Sequence, residues 1–453
     1  MNWAELRKRG TRMSEANSRA GNEESIGFLE AVSIGVGGMV GGGIFAVLGL
    51  AVEIGGGGTF VAFLIAGIVA LLTTYSYAQL SVALPSEGGT VTFLNEGFGA
   101  GTLSGSLNVL LWFAYVITTS LYAFAFGSYG ATLLPESSES VARYALTTGA
   151  IVVIAALNVL SAKLIAAAED YVVAAKIFIL VGFVVVALTQ ADLSASAPSE
   201  WESTTSLIAG GMLIFVAYEG FELIANSAAD VRNPERSVPR ALYTSVLFTI
   251  VLYMLVAVST VGLLTAQQIT DAADFALAAA ADQIWSGAGF TVIVIAAILS
   301  TASAINATLY GTARLSVVIA IDGEAPSALE KKIAGKPLLG LFITAGLALL
   351  VANFVPLASI SSLASAAFLI IFAAVNVANA RLADRTASRK SVSLLGAAAC
   401  IGALSALIAH IASESPSDLI LMAGLLLVTF LGEASYQKRK EIRERYCLDT
   451  ADL

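Results

Sequence analysis

Three ionisable side chains lie inside stretches that are otherwise apolar. Glu219 and Glu222 fall at the centre of the run 210–226, with Gly220 between them, and Lys176 lies inside another hydrophobic run. A carboxylate at the centre of a bilayer costs at least about 2.5 kcal/mol on insertion scales, so it normally faces a cavity or a partner. A desolvated ammonium, too deep to reach the interface, gives up its proton more readily. These residue types indicate binding or proton transfer inside a membrane.

The main chain supplies a second source of chemistry near the N-terminus. The stretch from Ser33 to Phe45 reads SIGVGGMVGGGIF, with six glycines among the nine residues 35–43. Each glycine costs a helix roughly 1 kcal/mol relative to alanine. Backbone that leaves the helix in hydrocarbon must be buried in protein or line a cavity. The stretch therefore predicts an interrupted helix whose amides and carbonyls form a binding site. The alternative is a face of small residues for close helix packing.

The composition identifies the elements that must hold these groups. Of the 453 residues, 57% are hydrophobic and 13% are charged, which excludes a soluble globular protein. The apolar runs are too long for the strands of a membrane barrel, so we predict an all-α integral membrane protein. Hydropathy predicts twelve transmembrane segments, at residues 27–52, 59–84, 103–134, 142–161, 167–190, 205–228, 239–264, 286–320, 338–356, 360–381, 392–411 and 417–435.

The distribution of positive charge predicts the orientation. All 24 lysines and arginines except Arg143 and Lys176 fall in the two tails or in the loops after even-numbered segments. Because basic residues concentrate on the cytoplasmic side, both termini are predicted to be cytoplasmic. The predicted location is the cell membrane, with the lipid bilayer as a partner.

The sequence lacks the residues that other classes of function require. Cys400 and Cys447 give no disulfide framework or metal spacing, and His410 is the single histidine. The sequence has no phosphate-binding loop and no nucleophile motif. We therefore expect no enzyme activity, no metal, no cofactor and no nucleic-acid partner.

The two unusual segments occupy matching places in the chain. The glycine stretch lies in the first segment and the paired carboxylates lie in the sixth, so each opens a group of five. Two interrupted helices at corresponding positions indicate an inverted-repeat transporter with its site at the bilayer midplane. The predicted organisation is a 5+5 inverted repeat, comprising a tail at 1–26, repeats at 27–190 and 205–381, accessory helices at 392–435 and a tail at 436–453.

Four motifs follow one another along the chain. They are GGGIF at 41–45; LPSEGG at 84–89 followed by Phe98-Gly99; YEGFE at 218–222 followed by RNPER at 232–236; and the segment 300–314 followed by DGEAP at 322–326. In this order they resemble the amino acid–polyamine–organocation superfamily of secondary transporters. The likeness covers nearly all of segments 1 to 10 and implies a LeuT-like fold.

The resemblance implies a site for the amino acid backbone. Amides at the start of the outer half-helix suit an anion, and we assign those of Gly42 and Gly43, beside Gly41, to the α-carboxylate. Gly42 departs from relatives that carry serine or threonine there. Main-chain carbonyls are assigned to the ammonium group, namely those of Met39, Val40, Val216, Ala217 and Glu219. Val216 occupies a position where several relatives have an aromatic gate.

The resemblance also gives Lys176 a role. In some relatives a lysine at the matching position takes the place of a sodium ion between segments 1 and 8. By that likeness Lys176 bonds the carbonyl of Gly37, near the hydroxyls of Ser300, Thr301 or Ser303. The protonated lysine would pin the two segments together and the neutral lysine would release them. The alternative is a lysine paired permanently with a carboxylate.

The sequence leaves alternative roles for three charged side chains. Glu219 either recognises a cationic substrate, points away from the site, or accepts a hydrogen bond while protonated. Glu222 resembles the acidic residue just beyond the family's segment 6 break, and either links protonation to gating or satisfies nearby backbone groups. Arg314 either joins a salt-bridge gate at the cytoplasmic face or is a solvated helix end.

The predicted function is secondary transport of an amino acid, neutral or cationic, by alternating access with proton symport. One alternative is an antiporter of basic amino acids or polyamines, which Glu219 favours. A transport-inactive sensor or partner subunit is a second alternative, and a channel suits the interrupted helices less well.

Overall fold

The computed structural model describes residues 26–86, 88–160, 162–333 and 335–449. The predicted N-terminal tail, except for Ile26, and residues 450–453 lie outside the described residues. The described chain is nearly all helical, and only isolated bridges of β type occur in it, such as that between Ile26 and Val231.

The helices of the first half follow one another with short connections. They are α1 Phe28–Met39, α2 Gly43–Gly55, α3 Thr59–Ala83, α4 Thr90–Phe98, α5 Thr102–Ala131, α6 Glu139–Leu160 and α7 Ala162–Ala187.

The second half begins with a helix that changes type part-way along. A 3-10 helix at Phe215–Phe221 separates α8 Thr204–Leu213 from α9 Glu222–Asn226. The remaining helices are α10 Pro234–Leu263, α11 Ala266–Asp271, α12 Ala276–Trp285, α13 Gly287–Ile321, α14 Leu338–Phe354, α15 Leu357–Arg381, α16 Ala383–Thr386, α17 Lys390–Glu414 and α18 Pro416–Asp449.

The helices account for eight to ten membrane spans among the described residues. Eight are long and apolar enough to cross a bilayer on their own. Two bent pairs raise the number to ten if each pair is one span: α1 with α2, and α8 with the segment 215–226, each bent by 45°. The apolar stretches Tyr171–Ala187 and Leu338–Phe354 are shorter. Twelve crossings and the inverted repeat stay predictions.

Two helices extend beyond the apolar segments that hydropathy marks. α10 begins at Pro234, ahead of the predicted start at 239, and α18 continues to Asp449, past the predicted end at 435. Both extensions are rich in charged and polar residues, so hydropathy detects the apolar part of the helix and misses the rest. Proline at the first position of α10 is favourable because its missing N–H would have no helical partner there.

The interrupted helices lie in the interior of the bundle. α1 packs against α10 and against the 3-10 helix, while α5 packs along α13 and α15. Val40, Ile44 and Phe45 are at most 1% exposed, and every residue of the 3-10 helix is buried. This burial satisfies the condition under which irregular backbone is tolerated at membrane depth.

Candidate functional site

The two interruptions touch each other through glycines. A β-carbon on Gly220 would overlap the backbone of Gly38 and Met39, and one on Gly38 would lie 3.0 Å from the carbonyl oxygen of Gly220. On the far side of the break, a β-carbon on Gly43 would lie 2.9 Å from the α-carbon of Ala217. Only residues without a side chain allow two main chains to approach this closely.

A tyrosine from α10 joins the two interruptions. The Tyr253 hydroxyl donates to the carbonyl of Met39 at 2.5 Å and approaches that of Ala217 at 3.3 Å. Its ring packs edge-on against Phe63 and at a tilt to Tyr218. One hydroxyl therefore contacts a carbonyl of each interruption, and that of Met39 lies at a helix end, where carbonyls lack intrahelical partners. Both carbonyls were assigned to the substrate ammonium, and Tyr253 was not predicted.

Two serines of α15 form hydrogen bonds with the backbone of the second interruption. Ser361 and Ser365 donate to the carbonyl of Leu213, at 2.7 and 2.9 Å, and the amide of Val216 donates to Ser365 Oγ at 2.9 Å. The Val216 side chain is buried at this point. The sequence signal for these serines is their spacing of four residues, which places both hydroxyls on one face of α15.

Lys176 of α7 contacts the last turn of α1. Its side chain is 1% exposed, and Nζ donates to the carbonyl of Gly37 at 2.8 Å. Ser300 on α13 donates to the carbonyl of Val40 at 3.0 Å and also to that of Gly41. The structure thus brings Lys176 to the carbonyl that the resemblance implies, and attaches α13 to the next carbonyls of the same break.

The other two residues predicted to take part in proton coupling are Thr301 and Ser303. Thr301 is buried and donates back to the carbonyl of Ala297 in its own helix at 2.6 Å. Ser303 is half-buried on α13. Neither observation assigns the residue a role in coupling, so both assignments stay predictions.

Glu219 belongs to the 3-10 helix and is paired with Tyr122 of α5. The Tyr122 hydroxyl donates to Glu219 Oε1 at 3.1 Å, while Oε2 is buried without a hydrogen-bond partner. The carboxylate is 3% exposed. The ring of the same tyrosine lies against Gly42, where a β-carbon would overlap it. One side chain therefore packs against Gly42 of the first interruption and contacts the acidic residue of the second.

Glu222 follows the 3-10 helix and forms hydrogen bonds with side chains of three other helices. It is 0% exposed and accepts hydrogen bonds from Tyr77 of α3 at 2.9 Å, Thr90 of α4 at 3.0 Å and Tyr115 of α5. Tyr77 and Thr90 also bond each other at 2.8 Å. All three partners are hydroxyl groups of side chains on other helices. The assignment of Glu222 to gating stays a prediction.

Arg314 lies far along α13 and is exposed. Its guanidinium stacks over the ring of Tyr310, with 5.7 Å between the guanidinium carbon and the ring centroid. The gating assignment stays a prediction.

Comparison with known proteins decides the family. A family model described as "Amino acid permease" matches residues 26–430, which is most of the chain. The chain belongs to this amino acid permease family. The match includes both interruptions, Lys176 and the two buried carboxyl groups, so the site described above lies wholly inside the permease region. The membership confirms the resemblance to the amino acid–polyamine–organocation superfamily.

Proteins named as transporters are among the individual relatives of this permease. Inner membrane transport protein YbaT of Escherichia coli is 32% identical over 436 residues, covering 95% of this chain and all of that protein. Uncharacterized protein MJ0609 of Methanocaldococcus jannaschii is 33% identical over 370 residues, covering 82% and 85%. Cationic amino acid transporter 1 of Arabidopsis thaliana is 26% identical over 387 residues, covering 81% and 64%. The chain is a multi-pass membrane transporter.

Proposed function

We propose that this transporter is a secondary active amino acid permease that works by alternating access and takes up its substrate together with protons. The paired interruptions support the proposal, because stepwise closure around a midplane site needs half-helices that can move separately. The amides of Gly42 and Gly43 bind the α-carboxylate. The carbonyls of the two breaks bind the ammonium group, and those of Met39 and Ala217 also accept from the hydroxyl of Tyr253, since a carbonyl oxygen can accept two hydrogen bonds.

The hydrogen bond between Lys176 and Gly37 carries the proton coupling. A buried ammonium that donates to an orphaned helix carbonyl stabilises α1 in its present position. Loss of the proton removes both the charge and one donor, which frees α1 from α7. Arrival and departure of one proton therefore shift the equilibrium between two positions of the first interrupted helix, as a coupling ion does.

Uptake into liposomes tests this function. A panel of radiolabelled amino acids should include at least one that accumulates under an imposed inward proton gradient, without sodium. Lys176→Met should abolish that accumulation and retain exchange across equal pH. Lys331→Met, which removes a lysine from an exposed loop, should behave as the unmutated protein does. Undiminished accumulation by Lys176→Met, or a requirement for sodium, would contradict the lysine mechanism.

The buried Glu219 and the Arabidopsis relative named as a cationic amino acid transporter favour a second candidate. It is an antiporter of basic amino acids or polyamines. An antiporter requires vesicles preloaded with substrate for uptake, whereas a symporter does not. Binding of amino acids without any flux would instead indicate a sensor or a partner subunit.

The topology that accompanies this proposal is a twelve-helix, LeuT-like arrangement in the cell membrane with both termini cytoplasmic. The two 45° bends at corresponding places in the chain support the repeat. Single cysteines placed in alternate loops, on a background without Cys400 and Cys447, test it with a membrane-impermeant label. Labelling from outside the cell should occur only in the loops after odd-numbered segments.

A further inference from the structure

One cavity of the bundle lies away from the two interruptions. It has a volume of about 340 Å³ and is lined by α5, α13, α14, α18 and the loop that follows α13. None of the described residues that line it is assigned above to substrate or to proton coupling. Ile343 and Val428 line it and are also 39% and 60% exposed on the surface of the bundle. The cavity is therefore accessible from the apolar surroundings of the helices, and its volume suits a small organic molecule.

The walls of this cavity are mostly apolar, but two of the side chains in them are acidic. Glu324 and Glu433 line it and are only 2% and 3% exposed. Glu324 accepts hydrogen bonds from Asn108 at 2.6 Å and from Ser104 at 3.4 Å. The described residues that line the cavity include no lysine, arginine or histidine. Two carboxyl groups in a wall without a basic residue complement a cationic ligand.

Two polar atoms of α5 beside this cavity have no partner among the described residues. Asn108 is 0% exposed and its Oδ1 is buried without a donor, although its Nδ2 donates to Glu324. Trp112 lines the cavity, and its Nε1 is buried without an acceptor. The two residues are four positions apart, so they lie on one face of the helix. Buried polar groups without partners are rare in folded proteins, and a ligand in the cavity would explain both.

We propose that this cavity binds a lipophilic arylalkylamine, in which a short alkyl chain joins an aromatic ring to an ammonium group. The ammonium has three N–H donors, which serve Glu324, Glu433 and the Oδ1 of Asn108. The ring packs against Phe113 and accepts the N–H of Trp112 on its face. Amino acids are excluded, because their carboxylate would meet the two acidic side chains. The cavity is thus a second site, for a ligand that differs from the transported substrate.

Ionisation of Glu324 makes this binding depend on pH. Burial raises the pKa of its carboxyl group from the ordinary 4.5 to about 7. The other titratable groups around it are Asp322 on the same loop and Glu433 and Tyr436 on α18, whereas the described residues of α5, α13 and α14 that line the cavity do not titrate. An alkylammonium group, with an ordinary pKa of about 10, stays charged throughout. The affinity should therefore rise about tenfold between about pH 6 and about pH 8, as Glu324 ionises.

Equilibrium binding of radiolabelled tryptamine to the full chain in lipid nanodiscs tests the site. Empty nanodiscs correct for partition of the amine into lipid, and tryptophol, which has a hydroxyl in place of the amine, is the matched neutral probe. Tryptamine should bind saturably and at least about tenfold more tightly than tryptophol, and a mixture of amino acids should not displace it. Absence of saturable binding, equal affinity for tryptophol, or displacement by amino acids overturns the proposal.

A charge-removing variant gives the second readout. Glu324→Gln keeps the shape of the side chain, and it should lower the tryptamine affinity about tenfold at about pH 8 and remove its dependence on pH. Glu330→Gln, at an exposed position further along the same loop, should change neither. An unchanged affinity in Glu324→Gln contradicts the assignment of the ammonium to this carboxyl group.

Two glycines of α18 test the cavity without altering its polar groups. Gly432 lines the cavity, and a β-carbon there meets no atom within 4 Å, so Gly432→Leu narrows the cavity without a clash at that carbon. Gly424 has equally open surroundings on the same helix and is not one of the lining residues. Gly432→Leu should weaken tryptamine binding about tenfold or more, whereas Gly424→Leu should leave it unchanged. Equal affinities in these two variants would place the amine elsewhere and overturn the proposal.

Discussion

Gly38 of the first interrupted helix and Gly220 of the second lie with their main chains in direct contact. The α-carbon position of each glycine faces the backbone of the other, so no side chain separates α1 from the 3-10 helix. This contact fixes the distance between the two sets of carbonyls and amides that compose the site. The spacing of the groups proposed to bind substrate thus depends on two residues to which no binding role is assigned.

Gly220→Ala should destabilise the protein and weaken substrate binding together. The added β-carbon meets the backbone of Gly38 and Met39, which cannot rotate away as a side chain would. Overpacking of this kind costs about 1–3 kcal/mol. Thermal unfolding in detergent and binding of the best substrate are the measurements. Gly346→Ala is the control, since a β-carbon there meets no atom within 4 Å, and it should be neutral or slightly stabilising. A Gly220→Ala protein with unmutated stability would contradict the close approach.

Tyr253→Phe should lower both stability and affinity. The change keeps the ring between Phe63 and Tyr218 and removes the hydroxyl that serves Met39 and Ala217. Loss of an intramembrane hydrogen bond costs about 1 kcal/mol, which thermal unfolding detects. Affinity falls because the two breaks are no longer joined.

Tyr218→Phe is the comparison for that change. It removes a buried phenol that donates to the carbonyl of Phe63 at 2.9 Å, inside α3 rather than at a break. Its stability should fall by a similar amount and its substrate affinity by less. Equal losses of affinity in the two variants would show that Tyr253 acts on general stability alone.

The sequence predicted the parts of this site that depend on composition. Glycine density identified the first interruption, and Glu219 and Glu222 marked the second, because glycine and charge are unusual inside apolar runs. Tyr253, Ser361 and Ser365 were missed. Tyrosine and serine are ordinary in membrane helices, and nothing local distinguishes a hydroxyl that serves a distant carbonyl.

Tyr122 shows the same limit more sharply. It lies in α5, and its partners Gly42 and Glu219 lie 80 and 97 residues away along the chain. Hydropathy predicted the apolar parts of α10 and α18 but not their polar extensions. Long-range partnerships require the packing of the bundle, which the sequence patterns alone do not specify.

Glu324 should make stability depend on pH. It follows α13 and is 2% exposed, and burial raises its pKa from the ordinary 4.5 to about 7, against the hydrogen bond from Asn108 at 2.6 Å. The folded state therefore holds the proton more tightly than the unfolded state. Its stabilising contribution is complete below about pH 4.5 and is lost as the pH rises through about 7.

Melting temperatures measured between pH 4.5 and 7 test whether stability falls as the pH rises. The Tm of the unmutated protein should fall from pH 4.5 to 7 more steeply than that of Glu324→Gln, whose amide cannot ionise. Glu330→Gln, on the exposed loop that follows, should keep the unmutated slope. A Glu324→Gln protein with the same pH dependence would assign the effect to other groups.

Tyr115→Phe should loosen the closure on the predicted cytoplasmic side of the site. Glu222 holds α3, α4 and α5 together through hydroxyl donors, and Tyr115 is the donor from α5. Its removal leaves Glu222 bound to Tyr77 and Thr90, so α5 separates from the other helices more easily. A cysteine introduced beside the site, on a background without native cysteines, should react faster with a thiol reagent supplied from the cytoplasmic side. Phe113→Leu is the control and should leave that rate unchanged. Phe113 belongs to the same helix but lines a different cavity, which Glu324 also lines. Equal reaction rates in all three proteins would mean that Glu222 contributes packing and does not restrain a gate.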